Sequence, residues 1–210
     1  MLKNLSRGKP DGALPRTEVY IAVVDDFKNV TFDRPDFLLK ELSGHSEEAA
    51  KEKLAAYALL ARALELSFGV DSLSGLSKSE DGKPFFNGFG VSVSHSHGLV
   101  AAAVSLGDVG VDIEEVTPDR FNAGLAEKIY CEGEPAPRCA DEFILLWTKK
   151  EAFFKRKGGG CFLPWKINTV GMDFKTVSAG YNGKSFYLTV SADNASRVGF
   201  FSLSQSIKLT

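Results

Sequence analysis

Gly110-Val111-Asp112-Ile113-Glu114 is the stretch that decides how this sequence is interpreted. Its apolar residues alternate with polar ones, which is the period-two pattern of a β-strand that has one face in a core. Side chains two residues apart on a strand point the same way, so Asp112 and Glu114 are predicted to form a carboxylate pair. Carboxylates held that close repel one another unless a cation lies between them, and their hard oxygen ligands suit Mg²⁺. The alternative for a bare Asp-x-Glu is the exposed edge of a half-buried strand.

The segment from Asp141 to Lys157 carries the strongest helical pattern in the chain. Acidic residues begin this segment, basic residues end it, and Gly158-Gly159-Gly160 follows. Because this order complements the helix dipole at both ends, it predicts a helix that stops at the glycines.

Within this helix, the stretch Trp147-Thr148-Lys149-Lys150-Glu151-Ala152-Phe153-Phe154-Lys155 places polar groups on one face. Trp147, Glu151 and Lys155 are spaced four apart and are therefore neighbours along the helix, with Lys150 at the edge of their face. Glu151 and Lys155 form either an ordinary surface ion pair or part of a site. In a site, Glu151 would join the two strand carboxylates around one cation, and Lys155 would meet the anion that the cation carries. A pyrophosphate-containing substrate requires such a set of groups.

Composition restricts the classes of protein that fit. The chain has 210 residues, of which 44% are hydrophobic and 25% charged, enough for one large domain or two small ones around a real core. A net charge of −2 argues against bulk nucleic-acid binding, which usually shows a basic excess. We expect no membrane association, because no apolar run is long enough to span a bilayer and the start lacks a signal-peptide core. Cys131, Cys139 and Cys161 share no zinc-like spacing and favour a reduced, cytoplasmic protein.

The remaining patterns predict a mixed α+β chain, after a loose lead-in of residues 1–16 that is rich in glycine, proline and charge. The other predicted elements are a strand at Glu18–Val24, a helix capped by Ser46 that runs to Phe68, a hairpin of Gly90–Ser94 and Leu99–Leu106, a helix at Asp119–Tyr130, and short strands from Ile167 to Ser204 with hairpin turns at Asn182-Gly183 and Ala192-Asp193-Asn194. The layout repeats, so residues 1–107 and 108–210 are predicted to be two similar subdomains with a ligand site between them.

The two motif stretches resemble the signatures of a known family, the 4′-phosphopantetheinyl transferases. G-V-D-I-E at 110–114 and W-T-K-K-E-A-F-F-K at 147–155 are similar to its two motifs, in particular to those of the longer, surfactin-synthetase-activating type. Gly82-Lys83-Pro84 and Ser94-His95-Ser96 match further positions in the family's order, so the resemblance extends from about Ser46 to Gly160. It implies a monomer of two similar α+β subdomains related by a pseudo-twofold axis.

The resemblance also implies a reaction, in which coenzyme A gives its 4′-phosphopantetheine arm to a serine of an apo acyl or peptidyl carrier protein and 3′,5′-ADP is released. Asp112, Glu114 and Glu151 would hold Mg²⁺, or Mn²⁺, on the coenzyme A pyrophosphate. The residues that match cofactor-binding positions are Lys53, Ser94, His95, Lys150 and Lys155 at the phosphates and Gly82, Lys83 and Pro84 against the adenine. Catalytic roles would fall to Asp112, Glu151 and Lys155, with Glu151 favoured over a metal-bound water as acceptor of the serine proton.

Some positions depart from the family pattern. Lys53 stands where arginine is more usual, which gives up bidentate phosphate contact, and Gly90-Val91-Ser92-Val93 replaces a Phe-Asn-x-Ser run. The apolar residues Phe121, Leu125, Ile129 and Tyr130 lie where the family meets its carrier, and a core position is expected for most of them. A coenzyme A-binding module without catalysis and a Mg²⁺-dependent hydrolase of a nucleotide pyrophosphate are the competing functions.

Overall fold

The structure, a computed structural model, describes residues 17–86 and 88–210. The predicted lead-in at 1–16 lies outside the described residues. The strands are β1 (Thr17–Val23), β2 (Leu76–Lys78), β3 (Pro84–Phe86), β4 (Gly90–Ser96), β5 (Leu99–Ser105), β6 (Val109–Glu115), β7 (Phe174–Tyr181), β8 (Lys184–Ala192), β9 (Val198–Ser202) and β10 (Lys208–Leu209). The α-helices are α1 (Asp36–Leu42), α2 (Glu47–Phe68), α3 (Ala123–Ile129) and α4 (Ala140–Lys157). The predicted α+β class is confirmed, and no helix in the described ranges is long and apolar enough to cross a membrane.

Two four-stranded sheets organise the chain, with strand orders β4-β5-β1-β9 and β10-β7-β8-β6. Each contains the same arrangement: a first strand, a long helix, and then a hairpin whose second strand pairs antiparallel with the first strand. Helix α2 packs on the first sheet and α4 on the second. The repeated strand–helix–hairpin order agrees with the predicted layout, whereas the pseudo-twofold axis and the division at residue 107 stay predictions.

The long helices begin and end where their sequence signals predict. The hydroxyl oxygen of Ser46 accepts a hydrogen bond from the backbone N–H of Ala49, and α2 then runs to Phe68. Gly69 follows in the left-handed conformation, with φ of 71°, which satisfies the last carbonyl groups of the helix. Helix α4 likewise ends at Lys157, and Gly158 takes a positive φ of 69°.

Both hairpins turn on two residues of positive φ. His97 and Gly98 join β4 to β5 with φ values of 46° and 85°, and Asn182 and Gly183 join β7 to β8 with values of 50° and 75°. Two-residue hairpin turns of this hand match the twist of the strands, which is why Asn-Gly is favoured in them. The predicted hairpin at Asn182-Gly183 is confirmed.

The turn predicted at Ala192-Asp193-Asn194 does not close a hairpin. After β8 the chain makes a 3-10 turn at Ala195–Arg197, and β9 then pairs parallel with β1 in the first sheet. Long-range parallel pairing of this kind leaves no local sequence signal, because the partner strand is far away in the chain. A strand from the last part of the chain therefore forms one edge of the first sheet.

The helix predicted from Asp119 to Tyr130 is shorter in the structure. Pro118–Arg120 forms a separate 3-10 turn, and Phe121 is extended. Helix α3 begins only after Asn122, whose side chain accepts a hydrogen bond from the backbone N–H of Leu125. This cap competes with continuation of the preceding turn and sets the later start.

Helix α4 lies in backbone contact with β6 at Gly110. A Cβ atom at this position would overlap the carbonyl oxygen of Ala152 and the amide nitrogen of Arg156, both on α4. On the same strand, Val111 and Ile113 are fully buried in the core between the sheets. The first glycine of the predicted motif therefore sets the distance between the strand and the helix that carry the acidic residues.

We expect Gly110→Ala to destabilise the protein by about 2 kcal/mol or more, because the backbone of α4 cannot yield to a methyl group without moving the helix. Gly180→Ala on β7 is the matched control, since a Cβ there meets its nearest atoms at an ordinary 3.9 Å. Urea unfolding of both variants measures the difference. Equal free energies of unfolding in the two variants would contradict the assigned close contact.

Candidate active site

Serine hydroxyls join the two sheets where β4 and β6 meet as edge strands. Ser92, Ser94 and Ser96 are buried on one face of β4. Their Oγ atoms accept hydrogen bonds from the backbone N–H groups of Val111 (3.0 Å), Ile113 (3.3 Å) and Glu115 (3.4 Å) on β6. We call these three contacts the serine ladder. The ladder satisfies an otherwise open strand edge with side chains and so fixes the register between the sheets.

Two rungs of the serine ladder also orient the carboxylates of β6. The Ser94 hydroxyl donates to Asp112 Oδ1 at 2.8 Å, and the Ser96 hydroxyl donates to Glu114 Oε2 at 3.0 Å. Each of these serines thus accepts from the β6 backbone and donates to a β6 carboxylate. The predicted one-sided display of Asp112 and Glu114 is present, and its orientation depends on the neighbouring strand.

The three predicted acidic residues lie together. One carboxylate oxygen from each of Asp112, Glu114 and Glu151 lies within 4.8 Å of the others. Asp112 is 1% exposed, and its Oδ2 atom has no hydrogen-bond partner among the described residues. A buried carboxylate oxygen without a donor is costly unless a cation meets it. This acidic triad therefore fits a hard divalent cation such as Mg²⁺.

The raised pKa of Asp112 also supports a cation at the acidic triad. Burial, opposed by the Lys155 ammonium and reinforced by the carboxylates of Glu151 and Glu114, raises the pKa of Asp112 to about 7. Three ionised carboxylates at this separation require positive charge, and a divalent ion would favour the ionised form of all three.

Helix α4 contributes a cation and an indole to the same place. Lys155 Nζ lies 2.8 Å from Asp112 Oδ1 and 3.3 Å from Glu151 Oε1, and it donates to Ser94 Oγ at 3.0 Å. Burial alone would lower the pKa of Lys155, but Asp112 and Glu151 outweigh it and raise the pKa above its ordinary value. Trp147 Nε1 donates to Glu151 Oε2 at 2.8 Å, which holds that carboxylate in place. Trp147, Glu151 and Lys155, which the i, i+4 spacing places on one helix face, are thus joined to one another by a hydrogen bond and an ion pair.

A cavity of about 400 Å³ opens beside the acidic triad, between elements of the first and second halves of the chain. The predicted site residues that line it are Lys53, Gly82, Lys83, Pro84, Ser94, His95, Asp112, Glu114, Glu151 and Lys155. Lys83 Nζ donates to Asp108 Oδ1 at 2.9 Å and to the carbonyl oxygen of Arg156, so it ties the Gly-Lys-Pro loop to the end of α4. His95 Nδ1 lies 2.9 Å from Glu52 Oε2.

Lys150 does not line this cavity, which corrects the prediction that it meets a phosphate beside Lys155. Its ammonium is fully buried, contacts Glu134 Oε2 at 2.7 Å and donates to the carbonyl oxygen of Ile167. Adjacent helix positions differ by about 100° in direction, so Lys150 cannot share the Glu151 face. No sequence pattern points to Glu134 as its partner, because that residue lies in the irregular segment before α4.

Some charged side chains at the cavity or the acidic triad were not predicted. Glu41 on α1 and Lys78 on β2 line the cavity, and Glu52 on α2 pairs with His95. Arg120, in the turn after β6, donates to the Glu114 carboxylate. None belongs to a motif, and their charges look like ordinary surface charge until the fold brings them together.

Of the four apolar residues expected mainly in the core, only some are buried. Ile129 is 1% exposed and Phe121 packs against the same cluster, but Leu125 is 43% and Tyr130 37% exposed. The core expectation is therefore wrong for Leu125 and Tyr130.

Fold and site together define an α+β protein with two four-stranded sheets and a cluster of three carboxylates at the wall of a cavity. Residues 108–197 match the profile of the 4′-phosphopantetheinyl transferase superfamily. The matched segment is less than half of the 210-residue chain, and over that segment the chain is similar to this superfamily.

Individual relatives are similar to parts of the chain. The chain is similar to the 4′-phosphopantetheinyl transferase AcpT of Salmonella typhi, with 34% identity over 128 residues, which cover 56% of this chain and 62% of the relative. It is also similar to the 4′-phosphopantetheinyl transferase psf-1 of Bacillus pumilus, with 37% identity over 90 residues and 38% of each chain covered. The 4′-phosphopantetheinyl transferase gsp of Aneurinibacillus migulanus shows 33% identity over 105 residues, with 46% of this chain and 42% of the relative covered. The match thus spans 62% of the length of AcpT and less of the other two.

The serine ladder can be tested apart from the chemistry. In Ser92→Ala the buried N–H of Val111 loses its acceptor, so we expect a loss of about 1–3 kcal/mol in the free energy of unfolding. Ser191→Ala is the control, because the buried Ser191 hydroxyl has no partner among the described residues and its removal should change stability by less than about 0.5 kcal/mol. A loss as large for Ser191→Ala as for Ser92→Ala would contradict the role of the ladder.

The acidic triad can be tested by metal binding alone. We expect Glu114→Gln and Glu151→Gln each to weaken Mn²⁺ binding by at least about 10–100-fold, the range seen when a residue that hydrogen-bonds to a metal ligand is lost. Calorimetry or the spin-resonance signal of free Mn²⁺ measures the affinity. Glu65→Gln, which changes an exposed ion pair with Arg62 on α2, should bind Mn²⁺ as the unmodified protein does. Undiminished binding in both triad variants would refute the assigned cation site.

Proposed function

We propose that the protein transfers the 4′-phosphopantetheine arm of coenzyme A to a serine hydroxyl of an apo carrier protein and releases 3′,5′-ADP. The observation that carries this proposal is the acidic triad, with Lys155 beside it, at the wall of a cavity between the two sheets. Three relatives, each named a 4′-phosphopantetheinyl transferase, support the same activity.

Asp112, Glu114 and Glu151 would hold the Mg²⁺ ion, and the unpartnered Oδ2 of Asp112 supports that role. When bound, Mg²⁺ or Mn²⁺ would offset the negative charge that develops on pyrophosphate oxygens as the bond breaks. Lys155 would stabilise the same charge with its ammonium group, which the neighbouring carboxylates keep protonated.

The protein's own residues supply the proton transfer and the orientation. In the proposed reaction the carrier serine Oγ forms a bond to the phosphorus that bears the pantetheine arm, and the bond from that phosphorus to the oxygen of 3′,5′-ADP breaks. The serine proton passes to the Glu151 carboxylate, which the Trp147 indole and the Lys155 ammonium hold at the cavity wall. A general base must lie within hydrogen-bond reach of the proton it takes. The contacts to both oxygens of Glu151 support this role, because they hold the carboxylate in one position.

The charge of the cavity supports dependence on a divalent cation. Among the described residues, the cavity is lined by five carboxylates and four lysines, together with His95. Coenzyme A is strongly anionic and would meet no positive excess there. A divalent ion at the acidic triad would reverse that balance and admit the substrate.

The nucleotide end of coenzyme A would occupy the rest of the cavity. Lys83 and Pro84 form one wall, where their matched positions lie against the adenine, and Lys53 and His95 form the wall proposed for the 3′-phosphate. The carrier would approach the exposed Leu125 and Tyr130 beside α3, since unpaired apolar side chains on a surface suit a partner. We further propose a monomer in the cytoplasm, where a reducing environment suits the three free cysteines.

Intact-mass measurement of carriers tests the proposed function directly. The protein, Mg²⁺ and coenzyme A are incubated with a panel of apo carrier proteins, and we expect at least one carrier to gain a single phosphopantetheine group. Glu114→Gln should abolish that gain, because it removes one ligand of the acidic triad.

Two outcomes would contradict transfer. Release of 3′,5′-ADP without any carrier would indicate a hydrolase, and tight coenzyme A binding with neither product would indicate a binding module. A carrier whose modifiable serine is replaced by alanine is the matched control and should gain no mass.

A further inference from the structure

Three elements place charged groups at one point of the cavity wall. Glu41 lies on α1, Lys53 on α2 and Lys78 at the end of β2. Lys53 Nζ lies 2.8 Å from Glu41 Oε2, and Lys78 Nζ pairs with Glu41 Oε1. Each oxygen of one carboxylate is therefore taken by a different ammonium group.

This charge cluster is partly shielded from water. The side chains of Glu41, Lys53 and Lys78 are 27%, 21% and 23% exposed. Burial alone would raise the pKa of Glu41, but Lys53 and Lys78 outweigh it and hold the pKa below its ordinary value. The Lys78 ammonium also lies 5.1 Å from the centroid of the Phe37 ring, which fixes its direction. The carboxylate is thus charged and held by both cations at neutral pH.

Two ammonium groups that pair with one carboxylate can also bind another anion in its place. A phosphate monoester carries more charge than a carboxylate and offers three oxygens, so it is a stronger partner for two lysines. Glu41 contributes only one negative charge against two positive ones, which leaves a net attraction for a further anion. All three side chains line the cavity that the proposed function assigns to the nucleotide.

We propose that Lys78 and Lys53 together bind the 3′-phosphate monoester of the nucleotide, and that Glu41 is an internal counter-ion that competes with this phosphate for the two lysines. The proposal rests on the proposed function and adds Lys78 and Glu41 to the residues that determine specificity. Glu41 pairs with both lysines when no phosphate is bound to them, so a ligand without the 3′-phosphate gains little from them. A ligand that carries it displaces the Glu41 carboxylate and takes both ammonium groups.

Calorimetric binding of 3′,5′-ADP and 5′-AMP separates this proposal from a general loss of charge. We expect Lys78→Met to weaken 3′,5′-ADP binding at least about five-fold and to leave 5′-AMP binding within about two-fold, because only 3′,5′-ADP carries a 3′-phosphate. Lys53→Ala should behave in the same way. Lys28→Met, which changes an exposed ion pair with Asp25 away from the cavity, is the matched control and should leave both ligands unchanged.

Glu41→Gln provides the opposite test. Removal of the competing charge should tighten 3′,5′-ADP about three-fold or more and leave 5′-AMP unchanged. Equal effects on the two ligands in Glu41→Gln and Lys78→Met would overturn the proposal and make the cluster a purely structural bridge between α1, α2 and β2. Thermal unfolding of each variant, followed by circular dichroism, establishes that the comparison is made on folded protein.

Failure of this inference and failure of the proposed function give different results. If the unmodified protein transfers phosphopantetheine but Lys78→Met does not discriminate the two nucleotides, only the assignment of the 3′-phosphate site is wrong. If the unmodified protein binds neither coenzyme A nor 3′,5′-ADP, the proposed function fails, and this inference fails with it.

Discussion

The backbone contact between α4 and β6 is the constraint on which the site depends. Only glycine at position 110 allows the helix to lie so close to the strand. Because the strand displays Asp112 and Glu114 and the helix displays Glu151 and Lys155, their separation is set by the distance between two backbones rather than by flexible side chains. Interior packing transmits such a constraint rigidly, so carboxylates that would repel one another in a looser structure are kept within reach of a single cation.

The second requirement is the junction between the sheets. Strands β4 and β6 are the facing edges of the two sheets and do not pair through their backbones. Instead, serine hydroxyls on β4 accept hydrogen bonds from the backbone N–H groups of β6. A serine is short enough to reach the neighbouring backbone and still has a proton to give, so the same atoms join the sheets and aim the carboxylates. Polar networks in which every member is satisfied specify one arrangement. Among the buried polar groups at this junction, the free oxygen of Asp112 is therefore informative, because it is the exception in a satisfied network.

Local periodicity revealed the groups that share one element, and it failed for groups whose partners come from elsewhere. The pair Asp112 and Glu114 follows from the period of two, and Glu151 and Lys155 follow from the helical repeat, since both periods are properties of the backbone. Lys150 and Lys155 are lysines in the same motif, so their residue type does not distinguish them. The Lys150 side chain instead points to Glu134, a buried residue in the irregular segment before α4. Glu41, Lys78 and Arg120 carry no pattern at all, because an ion pair between distant elements depends on the tertiary fold. The later start of α3 and the parallel pairing of β9 escaped prediction for the same reason.

Strand β9 gives the molecule an interlocked construction. It comes from the last part of the chain, yet it lies beside β1 at the edge of the first sheet, and Leu203 continues the contact by donating its N–H to the Ile21 carbonyl. Neither half is complete alone, because the first would expose the side of β1 that β9 covers, and an open strand edge invites self-association. The pairing of β9 with β1 thus fastens the part of the chain that forms the second sheet to the first sheet. The repeated strand–helix–hairpin order and the dependence of the first sheet on a strand from the second half of the chain are thus both visible in one topology.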